Sequence, residues 1–259
     1  MLEYTVGDYK GKKEYIFEID GRKSYVICPD KPLQGNPWIW RAEFLGAFES
    51  VDLAMVEKGW YLCYHACCDM YGNPESIGYF KKFRDTVVKE FGLNKKTALF
   101  GFSRGGLYSA NYALTYPDDV FALYLDAPVL DIRSWPGCMW RCTNWYENEW
   151  EGCKKCYYLA DDEAAREFKG SPLFRAKELA EKKIPVIIVC GNADTCVPTE
   201  ENCLPFYNDM TEAGGDIELI IKPDCGHHPH SLVDDPTPVV KFLEKRFFNL
   251  KTQGEYEFY

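Results

Sequence analysis

The chain has 259 residues, 46% of them hydrophobic and 27% charged, with a formal net charge of −10 at pH 7. That length supports one large core, and the acidic balance repels phosphate backbones, which argues against nucleic acid as a partner. No apolar run approaches the roughly 18 residues of a membrane span, and the first residues lack the basic start and apolar middle of an export signal, so a cytoplasmic protein with no membrane partner is expected.

Segments 13–19 and 23–28 read as strands joined by Asp20-Gly21, a dipeptide that supplies the positive φ angles of a tight hairpin. A helix is expected over 41–58, a strand over 60–67 and a helix over 74–91. Strand 97–102, helix 104–116 and strand 121–127 follow. The series resumes with strand 184–190, a further helix, strand 217–221 and a last helix over 238–248. Such alternation predicts an α/β fold: a mostly parallel central sheet, opened by an antiparallel hairpin, with helices on both faces. Residues 129–183 break the alternation and are too many for a plain loop, so they read as an insertion within a single domain. Its rings, among them Trp135, Trp140, Trp145, Tyr146 and Trp150, suit a cap over a binding cleft, or equally the insertion's own small core. The tail 254–259 is expected to fray or to dock through its aromatics.

Twelve cysteines in a chain without an export signal read as reduced thiols, and Cys28, Cys63 and Cys190 fall inside apolar strands where Cys packs as a small hydrophobe. Cys138, Cys142, Cys153 and Cys156 all lie in the insertion. Two close pairs permit a structural zinc site, though free thiols are the favoured reading.

Gly101-Phe102-Ser103-Arg104-Gly105 follows an apolar strand directly and precedes a helix, the context in which a G-x-S-x-G pattern carries meaning. Small residues allow the tight turn, Ser103 is pushed out of the sheet, and the helix start aims free N–H groups toward it. A serine hydroxyl needs a base, and the base an orienting acid. Three of the four histidines lie in Gly226-His227-His228-Pro229-His230, just past the last strand, and Asp194 lies just past the preceding one. The order nucleophile, acid, histidine places all three at carboxyl ends of strands, where open α/β sheets bind ligands. Asp126, at the end of the strand after the nucleophile helix, is a second candidate acid, with a turn aspartate before Pro128 as its other reading.

With these motifs in this order the chain resembles the α/β-hydrolase superfamily over nearly its whole length. Trp38-Ile39-Trp40-Arg41, Gly101 to Gly106, Asp126-Ala127-Pro128 and Gly226 to His230 also resemble bacterial hydrolases found near carbohydrate-degradation genes. The resemblance implies Ser103 as nucleophile, Asp194 as orienting acid and His227 as base, with no metal and no cofactor. His228 remains an alternative base, and His230 a packing or substrate residue. Oxyanion donors are expected at the backbone N–H groups of Arg104 and of Trp38, the latter in a loop over 35–41. Trp40, Arg41, His228 and Trp135 are the candidate substrate contacts; Arg41 and Arg104 would add positive charge, unless Arg41 pairs with Glu43 or Glu49. The implied activity is hydrolysis of carboxylic esters, short acyl esters of sugars first, through an acyl-enzyme that works best above the ordinary histidine pKa of about 6.5. A serine peptidase and a catalytically silent binder of a small ligand are the alternatives.

Overall fold

The computed structural model describes residues 2–143 and 145–252, so the tail expectation over 254–259 lies outside the described residues. A nine-stranded sheet is formed by β1 (Tyr4–Tyr9), β2 (Lys12–Ile19), β3 (Arg22–Ile27), β4 (Trp38–Arg41), β5 (Tyr61–His65), β6 (Thr97–Phe102), β7 (Val120–Asp126), β8 (Val186–Gly191) and β9 (Ile217–Lys222). Their spatial order is β1-β2-β3-β5-β4-β6-β7-β8-β9. Pairing is antiparallel from β1 through β5 and parallel across β4, β6, β7, β8 and β9. This is the α/β-hydrolase arrangement, with the expected hairpin turning at Asp20 (φ 53°) and Gly21 (φ 73°).

Two elements differ from the sequence reading. Strand β1 is an added edge strand: its residues are mostly exposed and Gly7-Asp8 interrupts the apolar alternation, so pairing with β2 makes it a strand rather than local pattern. The helix expected over 41–58 is shorter than its pattern. Trp38–Arg41 is a strand buried on both faces between β5 and β6, and the helix α1 spans only Ser50–Glu57. Between them the chain turns through Phe44 (φ 57°), Gly46 (φ 91°) and Phe48 (φ 52°), backbone that no helix accommodates.

One face of the sheet packs against α2 (Pro74–Phe91), α3 (Gly105–Thr115), α6 (Ala176–Glu181) and α7 (Cys203–Glu212), through residues such as Phe80, Phe83, Tyr112, Leu179 and Phe206. The other packs against α1 and α8 (Thr237–Thr252), through Val51, Met55, Val239, Leu243 and Phe247. Both faces of β6, β7 and β8 are therefore covered, and every residue of these three strands is buried. Helix α2 shows why its boundaries were readable: Asn73 caps its first turn by accepting from the Ser76 N–H at 2.9 Å, Pro74 opens it, and Gly92 closes it in the left-handed region.

Within 129–183, α4 (Glu147–Cys156) and α5 (Asp162–Glu167) build a small core of Trp150, Cys153 and Ala165 against Tyr71, Leu107, Val129 and Ile132. Helix α6 instead joins the main core. Cys138 and Cys142 form a disulfide, while Cys153 and Cys156 are free thiols. The four sulfurs are not gathered as the less favoured zinc alternative requires, since Cys153 is sealed in the small core and no grouping of three or more metal-ligating side chains among the described residues includes them. No described helix is long and apolar enough to cross a membrane.

Candidate active site

Strand β6 delivers Ser103 to the carboxyl edge of the sheet at φ 49°, a left-handed conformation that costs a non-glycine residue energy. The surroundings hold it there: Ser103 N–H donates to Asp126 O at 3.0 Å, and its carbonyl accepts from Gly106 N–H at 2.9 Å and Val129 N–H at 2.8 Å. Gly101 is required by this turn, since a Cβ there would stand 2.9 Å from Gly105 O, Leu125 Cδ2 and Ser109 Oγ.

Asp194 and His227 sit on the loops after β8 and β9, and these loops are in direct contact. A Cβ on Gly191 would fall 2.1 Å from Cys225 O, and Ala193 N–H donates to that same carbonyl at 2.9 Å. The contact sets the spacing of acid and imidazole. Asp194 Oδ1 accepts from the N–H groups of Cys196 (2.9 Å) and Val197 (2.8 Å), which leaves Oδ2 to take His227 Nδ1 at 2.7 Å. His227 Nε2 lies 2.9 Å from Ser103 Oγ. With Nδ1 protonated toward the carboxylate, Nε2 is the acceptor for the hydroxyl proton. Three side chains far apart in sequence thus form one continuous hydrogen-bonded relay.

Asp126 does not join it. Its Oδ1 holds His230 Nδ1 at 2.9 Å, and its Oδ2 accepts from Tyr124 Oη at 2.6 Å and Ser231 N–H at 2.8 Å. His230 is buried, which pushes its pKa below the ordinary histidine value. His228 is exposed and stacks on Phe48 at 5.3 Å, with its pKa also lowered, first by desolvation and then by its two histidine neighbours. It makes no contact with Ser103 that would let it replace His227 in this arrangement.

Over Ser103 opens a cleft of about 300 Å³, lined by Phe44, Phe48, Phe102, Trp135, Tyr146, Cys196 and the three histidines. Trp135 and His228, both candidate substrate contacts, border it. Trp40, Arg41 and Trp38 do not, and these three expectations are corrected. Trp40 is fully buried beneath the sheet, stacked on Phe80 at 4.6 Å. Arg41 is also fully buried: its Nε and Nη2 donate to Asp52 at 3.0 and 2.8 Å, Nη2 donates to Ala47 O at 2.8 Å, and its guanidinium lies 3.7 Å from the centre of the Phe102 ring. It ties the end of β4 to α1, with Asp52 rather than Glu43 or Glu49 as its partner. Trp38 starts β4, so it sits at the amino edge of the sheet, a strand's length from Ser103, with its indole N–H donating to Asn94 O at 2.8 Å.

The Arg104 guanidinium is turned toward Glu43 (3.4 Å) and Glu149 (3.7 Å) rather than toward the cleft. Burial pushes the Glu43 carboxyl up to about 7 against the pull of Arg104. Phe44, Phe48 and Cys196 line the cleft without having been singled out in the sequence. The signal for the two phenylalanines was Gly46 between them, which breaks the helix pattern that concealed a loop.

The sequence pattern of the prolyl oligopeptidase family matches residues 79–249, well over half of the chain. The chain belongs to the prolyl oligopeptidase family. Its fold is shared with several solved structures of low sequence identity. An acylaminoacyl peptidase from Pyrococcus horikoshii matches at a TM-score of 0.69 and 16% identity, over 95% of this chain and 42% of that one. A candidate lipase from Acinetobacter baumannii AYE matches at 0.61 and 14%, over 92% and 93% of the two chains. The α/β-hydrolase enzyme MGS-MChE2, from a lagoon-sediment metagenome of Mar Chica, Morocco, matches at 0.55 and 19%, over 91% and 99%. No curated protein matches in sequence. This family member is a serine hydrolase, and it spans less than half the length of the acylaminoacyl peptidase it resembles.

Proposed function

We propose that the chain is a carboxylic ester hydrolase that removes short acyl groups, acetyl foremost, from sugars or comparable hydroxyl-rich small molecules. The observation that carries this reading is the cleft over Ser103: about 300 Å³, at the small end of ligand sites, with Phe44, Phe48, Trp135 and Tyr146 around its mouth. Aromatic walls suit the apolar faces of a sugar ring. Trp135 and Tyr146 come from 129–183, which in this reading is the cap of a single hydrolase domain. The reading needs no metal or cofactor and takes the substrate to be an imported ester in the cytoplasm.

Ser103 Oγ attacks the ester carbonyl while its proton passes to His227 Nε2, and the Asp194 carboxylate stabilises the imidazolium that results. The oxyanion is assigned to the backbone N–H groups of Arg104, the residue after the nucleophile, and of Phe44. Phe44 replaces Trp38 in this role because the loop after β4 lines the cleft and turns there at φ 57°. His227 returns its proton to the leaving alcohol, the acyl group stays on Ser103, and the same steps run with water release the acid and restore the hydroxyl.

Family membership and the likeness to an acylaminoacyl peptidase favour a second reading, cleavage of amides of short acylated peptides. A panel of nitrophenyl esters from acetate to octanoate, acetylated sugars, and acylaminoacyl nitroanilides separates the two. The ester reading expects kcat/KM to peak at acetate or butyrate and to fall by roughly tenfold or more toward octanoate. A rise with chain length, or nitroanilides overtaking the acetyl ester, contradicts it.

A further inference from the structure

Three imidazoles meet in the loop after β9. Ligand atoms of His227, His228 and His230 lie within 4.8 Å of one another, the one such grouping of three metal-ligating side chains found among the described residues. Their ring centroids stand 4.7 to 4.9 Å apart pairwise. Ester hydrolysis as described above uses one of these rings and gives no reason for three.

Two of the three are oriented alike. His227 presents Nδ1 to Asp194 at 2.7 Å and His230 presents Nδ1 to Asp126 at 2.9 Å, and both carboxylates are buried. A carboxylate on one ring nitrogen is how proteins fix the tautomer of a metal-binding histidine, aim its other nitrogen and raise its basicity. The same arrangement directs Nε2 of His227 and of His230 away from the acids. Both rings border the cleft, as does His228, which is exposed.

We propose that His227, His228 and His230 form a binding site for a divalent transition ion of the zinc class, and that its occupation withdraws His227 from Ser103 and leaves the hydrolase reversibly inhibited. Imidazole nitrogen suits zinc, copper and nickel, and three histidines with one water complete a tetrahedral zinc shell. Nitrogens about 2.0–2.1 Å from such an ion stand roughly 3.4 Å apart, so atoms now as far apart as 4.8 Å must close by about 1.4 Å. His228 is exposed and can move toward the other two, and the His227–His230 gap closes as His227 leaves Ser103. Each ring donates a lone pair, the ion takes the position of the Ser103 hydroxyl on His227 Nε2, and Ser103 keeps its proton without a base to receive it. The inhibition rests on His227 being that base; the binding does not.

Cobalt(II) absorption reads the site directly. Titrating the full chain with Co²⁺ is expected to give a tetrahedral visible band that saturates near about one equivalent and is displaced by Zn²⁺. It should lack thiolate-to-cobalt charge transfer, although Cys196 borders the cleft and Cys225 Sγ is 3.8 Å from His228 O. His228→Gln and Asp126→Asn, each checked for native circular dichroism, should weaken Co²⁺ binding by roughly 10–100-fold. Ser103→Ala, which removes the competing hydroxyl, should bind at least as tightly as the unsubstituted chain. No band at millimolar Co²⁺ in folded protein, a thiolate spectrum, or a band that His228→Gln leaves unmoved overturns the site. In parallel, Zn²⁺ should abolish ester hydrolysis and a chelator should restore it. Binding without inhibition overturns the inhibitory half alone. If no ester is hydrolysed at all, the ester reading fails while the cobalt titration still decides the site.

Discussion

Asp194–His227 and Asp126–His230 are two carboxylate–imidazole pairs built from the same residue types, with nearly equal Nδ1 distances of 2.7 and 2.9 Å, on histidines from one short loop. They differ in what lies beyond. His227 Nε2 meets a hydroxyl at 2.9 Å, whereas the Asp126 carboxylate also carries Tyr124 Oη and Ser231 N–H and so pins the histidine loop to the end of β7. Residue identity does not separate a proton relay from a structural tie. What each pair touches beyond itself does, and that follows from where each acid sits, Asp194 in the loop after β8 and Asp126 as the last residue of β7.

The strongest way to break this division is to neutralise each acid in turn. Asp194→Asn should lower kcat by about 10⁴-fold, because the imidazole loses its tautomer and its counter-charge. Asp126→Asn should lower it by less than about tenfold, and equal losses would show that the two pairs act together. Stability should respond in the Asp126 pair. Replacing one acceptor of a buried network costs about 1–3 kcal/mol, so Asp126→Asn should shift the urea midpoint downward while leaving most of the activity.

A smaller effect is expected from pH. Burial lowers His230 below its ordinary value and lowers His65 to about 4, so these two side chains bind fewer protons in the folded chain than in the unfolded one just below pH 6.5. The stability these groups contribute is present above 6.5 and is lost as pH falls toward 4. Glu43, raised to about 7, works in the opposite sense: its contribution is present below about 4.5 and is lost as pH rises through 7. Between pH 7 and 5 the two effects oppose each other, and Glu43→Gln, which removes the gain on the acid side, should show a urea midpoint that falls more with acid than that of the unsubstituted chain. A shallower fall in that variant contradicts the assignment.

The sheet was legible because β6, β7 and β8 are short apolar runs bounded by turn residues, and because Asn73, Pro74 and Gly92 mark the ends of α2. Ser103, Asp194 and His227 were legible because each follows a readable strand end. Trp40 and Arg41 misled because their neighbouring aromatic and charged types resemble a binding surface, whereas a four-residue strand between two parallel partners buries every side chain. An arginine inside such a strand signals a buried acid, and Asp52 lies on the next helix, out of sight of local pattern. The cleft walls from Phe44 and Phe48 depended on a loop whose positive φ angles no periodicity reports. The Cys138–Cys142 bond was concealed by close spacing that suits a disulfide and a metal pair alike.

The relay itself is tested most directly by treating the folded chain with a fluorophosphonate and mapping the adduct by mass spectrometry. A single phosphonyl group on Ser103, absent from Ser103→Ala and formed far more slowly in His227→Gln, is the expected result. Folded protein that stays unlabelled at Ser103, or that is labelled equally fast without His227, contradicts the account.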